Sequence, residues 1–393
     1  MKRIFPVLLI GFIFLFSGGG LSAASTSQSE AKGPARVDFS PEQMAADLDL
    51  REINRYLGTL DTETRKYLPR FDPKSWGLTG PEWDLAKVGK GIVQYFLREI
   101  VFNFKLLGEL LLLAMALAIL QNFKHAFESD TVSQLAFSLC FLVVMGIVVN
   151  SFRVTFTIAR GVITELSSFM YVLIPLLFSL MVAGGGVTMT AIVHPLLISS
   201  VGVIVGVMGN LVFPLLLFAG VLGMVNFLVD GFEVNKLAKL FKSAALGIMG
   251  FMMAVFIGII TIRGFAASVA DSTALRTAKY VSNTFLPVVG GTFSDTMELA
   301  YGCANVLKSG IGIYGLGALV VIIIFPLMKI MAIAVVYQLT SAVAQPLGNS
   351  RLADALEVVG ATFRNIFGAV AVVGLMFFIA LAILVGISNY GIR

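Results

Sequence analysis

The sequence predicts an all-α, polytopic helical membrane protein, and three observations carry that prediction. Of 393 residues, 58% are hydrophobic and only 13% are charged, with a mean hydropathy of +0.92; soluble domains average about 25% charged. The apolar residues fall in long uncharged runs near the ~20 residues that cross a bilayer's hydrocarbon. These runs lack the two-residue alternation of a membrane barrel, which leaves helices, whose backbone groups satisfy one another in lipid. Soluble enzymes and collagen-like chains are thereby excluded. The net charge of +5 is spread without a basic block or interleaved aromatics, so nucleic acid is no expected partner. Cys140 and Cys303 lie in apolar surroundings more than a hundred residues apart and read as small buried hydrophobes, not as a disulfide or a CxxC metal site.

The first element, residues 1–24, has the form of a secretory signal peptide. Lys2 and Arg3 precede an apolar run from Ile4 to Phe16, then Ser17-Gly18-Gly19-Gly20, and Ser22-Ala23-Ala24 supply small residues for a cut after Ala24. An uncleaved anchor is the alternative, and either way the following residues are exported. Residues 25–100 form an exported linker and helical region. Ser25 to Val37 is a Ser/Ala/Lys/Gly/Pro-rich linker; Ser40-Pro41-Glu42-Gln43 is a capping pattern, followed by Met44, Leu48, Ile53, Leu57 and Leu60 at near-helical spacing. Thr79-Gly80-Pro81-Glu82 is a second capping pattern, opening a helix with Leu85, Val88, Ile92 and Phe96 on one face that runs straight into the first membrane segment. Trp76 and Trp83 stand just before it, where a headgroup belt and core packing explain them about equally well.

Apolar segments follow at 101–121, 131–150, 166–184, 187–208, 210–230, 244–264, 311–343 and 366–388. With the uncertain stretch between 278 and 343, the expected number is about 8–10. Residues 101–164 hold the first two membrane helices. The rest contains a tandem repeat, with copies in 165–265 and 266–393, the second matching over about 277–388. Ile174-Pro175 and Leu286-Pro287 are 112 residues apart, as are Phe213-Pro214-Leu215-Leu216 and Phe325-Pro326-Leu327-Met328; Lys236-Leu237-Ala238 and Arg351-Leu352-Ala353 are 115 apart. Each copy has an apolar run of about 33 residues around its second proline, 199–231 and 311–343. Because proline removes a backbone donor, each run is either one kinked helix or a pair of discontinuous ones. Residues 278–309 carry Asn283, Thr284, Ser294, Asp295 and Glu298, and read as partly inserted or re-entrant.

Counting crossings from an exported 25–100 places the loops at 231–243 (Lys236, Lys239, Lys242) and 344–363 (Arg351) on the cytoplasmic side and the C-terminus outside, so that the repeats run parallel.

Few polar groups could carry chemistry. His194 precedes Pro195 inside an apolar segment, without a second histidine or carboxylate at i+3 or i+4, so a hydrogen-bonded structural role outweighs a metal. Lys329 lies three residues past Pro326 and either snorkels to the interface or faces a hydrated path. Lys105 and Glu109 form an i, i+4 pair. The pattern contains no GxxxxGK[ST], HExxH or GxSxG, so no enzyme and no cofactor or metal are expected. The candidate path-lining or gating residues are Pro175, His194, Pro214, Pro287, Ser294, Pro326 and Lys329.

Taken together, the signal segment, the exported helical region and a membrane body with Tyr171-Val172-Leu173-Ile174-Pro175, Phe213-Pro214, Phe325-Pro326 and residues 278–290 (AKYVSNTFLPVVG) resemble the stage III sporulation protein AE family of endospore-forming bacteria. The resemblance covers nearly all the chain and is least distinctive over 25–80. It implies a membrane component of a multiprotein, secretion-like channel between mother cell and engulfed forespore, supporting late forespore gene expression. It also implies a place in the mother-cell membrane around the forespore, with the N-terminal region in the intermembrane space. The implied neighbours are a secretion-type ATPase and ring-forming membrane proteins, beside membrane lipid; no catalytic residues are implied. A stand-alone secondary transporter of a small solute suits the tandem repeat and the proline-broken helices equally, and a purely structural scaffold needs no path at all.

Overall fold

Two short helices open the described chain: α1, Arg51–Thr59, and α2, Thr62–Tyr67, the latter capped by the Asp61 carboxylate accepting from Thr62 N at 2.8 Å. The computed structural model describes residues 44, 48, 50–73, 81–124, 130–227, 234–285, 290–348 and 350–387. The signal segment, the linker, the Ser40 capping pattern, Trp76 and Pro287 lie outside these. Next come α3, Leu85–Phe102, and α4, Phe104–Lys124. The expected cap at Thr79–Glu82 gives way to Asp84, whose carboxylate accepts from Lys87 N at 2.9 Å, so the helix opens four residues later than Pro81. It does not run straight on into the membrane segment either. A bend of 40° divides α3 from α4 at Asn103, where Glu99 O accepts both from the Asn103 backbone N–H (3.1 Å) and from its side-chain amide (2.7 Å). Lys105 and Glu109 do pair, at 3.9 Å and largely exposed.

The body consists of long helices: α5, Asp130–Ala183; α6, Val187–Val207, continued through a π turn, Met208–Val212, into α7, Phe213–Val225; α8, Asn235–Phe285; α9, Gly290–Ala344; and α10, Ser350–Ile387. Among the described residues no strand occurs, and five helices are long and apolar enough to cross a membrane, six if the bent α3–α4 pair is one span. The all-α polytopic class is as expected, but the segments are fewer and longer. The segments 131–150 and 166–184 belong to one 54-residue helix, because the charges between them, Arg153, Arg160 and Glu165, lie on its exposed side while Phe152, Thr155, Val162 and Ile163 are buried. Segments 187–208 and 210–230 likewise fuse, since Gly209-Asn210 opens into a π turn without ending the helix. Residues 278–285 and 290–309 are the end of α8 and the start of α9, so the described part of the stretch read as re-entrant is two helix ends. At 1.5 Å per residue, α5, α8 and α9 reach about 80 Å, more than twice the ~30 Å of hydrocarbon.

Consecutive long helices run antiparallel. Ala183 passes to Val187 through a turn in which Gly186 N donates to Met181 O (2.7 Å) and Gly185 N to Val182 O (3.0 Å); Gly185, at φ +83°, takes the left-handed position that glycine adopts without cost. α5 meets α6–α7 through Phe178 with His194 at one end and Phe156 with Phe213 at the other. It meets α9 through Leu173 against Gly315 and through Tyr337, whose hydroxyl donates to Ser151 Oγ at 2.8 Å. α9 and α10 share the most extensive interface, with Gly312 against Val385, Ile323 against Gly374 and Gln338 against Gly360. These glycines let the helices approach closely. α9 is the most buried of the long helices and α8 the least.

The described residues between 50 and 102 form no separate lobe. They pack along α5 and α9: Tyr67 stacks on Phe325 (5.1 Å), Tyr95 meets the same ring edge-on (5.0 Å), and Phe71 and Trp83 flank Tyr314 (4.9 and 5.9 Å). A Cβ at Gly317 would run into the Trp83 indole, so the helix is glycine where the ring lies. Trp83 thus packs in a core. The Tyr56 hydroxyl donates to Glu165 O at 2.7 Å; burial, with the Glu165 charge adding, pushes this phenol above its ordinary value and keeps the proton it donates.

Candidate functional site

The structure distributes the candidate residues over three places. Pro175 lies inside α5 on its exposed side, and one turn on, Phe178 meets the half-buried His194 of α6 edge to face, at 5.1 Å and 90°. This aromatic contact is in keeping with a packing role for His194. Pro214 stands at the start of α7, directly after the π turn. Pro326 and Lys329 lie half-buried in α9, beside Phe325 and the N-terminal aromatics. Ser294 falls within α9 and Asn283 and Thr284 within α8, with side chains outside the described set, as is Pro287 altogether. The described candidates converge on no single constellation.

Three polar features escaped sequence reading. Asp271 of α8 is buried, and its two carboxylate oxygens accept from Thr188 N (2.7 Å) and Met189 N (2.8 Å) at the start of α6. The N-terminal residue Gly186 has no side chain to cap this helix, so a carboxylate from a neighbouring helix satisfies two of the free N–H groups and complements the positive end of the helix dipole. A lone aspartate eight residues beyond Arg263 in an otherwise apolar segment was the available signal. Arg160, on α5, donates from its guanidinium to Gly209 O at 3.2 Å, in the π turn. Lys308, on α9, is fully buried, and its Nζ has no hydrogen-bond partner among the described residues; Thr155 Oγ1 and an Arg364 nitrogen are buried in the same condition. Among the described residues no three His, Cys, Asp or Glu side chains gather where a metal could be held.

Comparison with known proteins agrees with this architecture's sequence of parts. The family model described as stage III sporulation protein AE matches residues 79–388, from just before α3 to the end of α10. A curated relative, the stage III sporulation protein AE of Bacillus subtilis (strain 168), is 31% identical over 398 residues, covering 99% of this chain and 98% of its own length. No solved structure matches. Because the family model spans most of the chain and the relative nearly all of it, the chain belongs to the stage III sporulation protein AE family.

Proposed function

We propose that this sporulation protein is a membrane component of a multiprotein, secretion-like channel joining mother cell and forespore, and that it acts there without catalysis of its own. The observation that supports this reading is helix length. Helices of 54, 51 and 55 residues carry long, regular surface beyond any bilayer, which is what docking to other membrane and soluble components requires. The proposed partners are a secretion-type ATPase and ring-forming membrane proteins. The proposed location is the mother-cell membrane around the forespore, with the N-terminal region in the intermembrane space. With α3–α4 as one broken span, the connections between α7 and α8 and between α9 and α10 fall on the cytoplasmic side, beside Lys236, Lys239, Lys242 and Arg351. Fusing two pairs of segments removes two crossings, so this parity matches the one counted from the sequence. The proposed internal repeat is then a pair of helix hairpins, α6–α7 with α8 and α9 with α10, in parallel order.

The alternative, a solute transporter acting alone, calls for facing polar groups at one depth in both repeats. His194 and Lys329 sit in different places, which favours the complex. Purification of the chain in mild detergent from sporulating cells tests the choice. Co-purification of the other channel components in defined stoichiometry is the expected result; a chain recovered alone that moves a solute in vesicles would reverse it. Cysteines placed at Ser29 and Lys239, in a background lacking Cys140 and Cys303, should label from opposite sides with an impermeant reagent, and labelling of both from one side would overturn the topology.

A further inference from the structure

Pro214 has no N–H, so some carbonyl one turn earlier loses its donor. Which one depends on the ladder. Phe213 N donates to Met208 O, five residues back, so the chain enters Pro214 in π register and the carbonyl left over is that of Gly209. The Arg160 guanidinium of α5 donates to that oxygen. A Cβ at Gly206 or Gly209 would meet nothing within 4 Å, and Arg160 is exposed, so the turn has room beside it.

The two ends of this helix are held by different neighbours. α6 is anchored by Asp271 of α8 on Thr188 and Met189. α7 is anchored by close packing: a Cβ at Gly220 would collide with Phe152 of α5 and Thr362 of α10, and one at Gly223 with Val358 of α10. The π turn is the break in regular hydrogen bonding between the two anchored halves.

We propose that the Met208–Val212 turn is a two-state joint between α6 and α7, locked by the Arg160 guanidinium on the Gly209 carbonyl. Locked, the turn keeps its extra residue; released, the carbonyl is unmet, the turn relaxes, and the angle between the halves changes. This gives the bundle a moving part whichever partners it has.

The test uses the full chain in lipid nanodiscs with Cys140 and Cys303 replaced by serine. Spin labels at Ile192 and Phe218, exposed on α6 and α7, report the distance between the halves by pulsed electron paramagnetic resonance. The unsubstituted Arg160 should give one narrow distance. Arg160→Met should populate a second, shifting the ratio of the two by roughly tenfold or more, as expected for losing a charge-assisted hydrogen bond. Arg160→Lys, which keeps the charge but loses the planar fork, carries the same reading if the methionine variant does not accumulate. The decisive background is Pro214→Ala, which returns an N–H to the turn; there Arg160→Met should leave the distance distribution unchanged. A distribution unaffected by Arg160 replacement in the Pro214 chain, or one broadened equally in both backgrounds, overturns the proposal.

Discussion

The two helices that share a Phe-Pro pair in a long apolar run handle it differently. In α6–α7 the ladder loosens into a π turn before Pro214, and an arginine from α5 supplies the missing donor. In α9 the helix continues as α through Pro326, and the phenylalanine before the proline is clamped between Tyr67 and Tyr95 of the N-terminal region. The difference follows from position. α9 is central and packed along α5, α10 and α3, so its neighbours hold its course; α6–α7 lies nearer the surface, where a turn can open and a long polar side chain can reach its backbone. The same Phe-Pro-Leu sequence therefore accompanies a stiff element in one place and a jointed one in another.

The largest effect that would break this comparison lies at the two phenylalanines. Both are nearly fully buried, and truncation to alanine should cost about 3–5 kcal/mol at either site. Only Phe325→Ala should also free the N-terminal region, seen as faster limited proteolysis between residues 51 and 102; equal proteolysis in Phe213→Ala would show that α9 has no special hold on that region. Next comes Asp271→Asn, which leaves α6 without its carboxylate cap. A loss of about 1–3 kcal/mol is expected, with faster amide hydrogen exchange at Thr188 and Met189.

Lys329→Leu and Ser294→Leu ask whether the second copy has a wet side. With a hydrated path, sporulation output per molecule should fall at unchanged membrane abundance. With hydrogen bonding between helices alone, abundance should fall instead, by about 0.6–2 kcal/mol of stability for each. We expect the first result, and normal sporulation at normal abundance in both would remove the path from the reading. The smallest effect on stability should come from Pro214→Ala and Pro326→Ala, within about 1 kcal/mol and with insertion intact, because each returns a backbone donor to a site already shaped around its absence. Their contrast is conformational: Pro214→Ala should erase the π turn, whereas Pro326→Ala should leave α9 on its present course.

By itself the sequence determined the class of the molecule, since apolar runs that long have no other stable home than helices in a membrane. It also placed the prolines, the Lys105–Glu109 pair and the residues that carry the family. It did not determine where one helix ends and another begins. The stretch between the apolar segments 131–150 and 166–184, with Arg153 and Arg160, read as a break, and only the burial of Phe152, Thr155 and Val162 makes it a helix with one exposed side. The supports of the candidate site were hidden for the same reason. Asp271 caps a helix 82 residues away in sequence and Arg160 serves a carbonyl 49 residues away. Such partners meet because the bundle brings antiparallel helices side by side, and a single buried polar group states its need for a partner without stating which element supplies it.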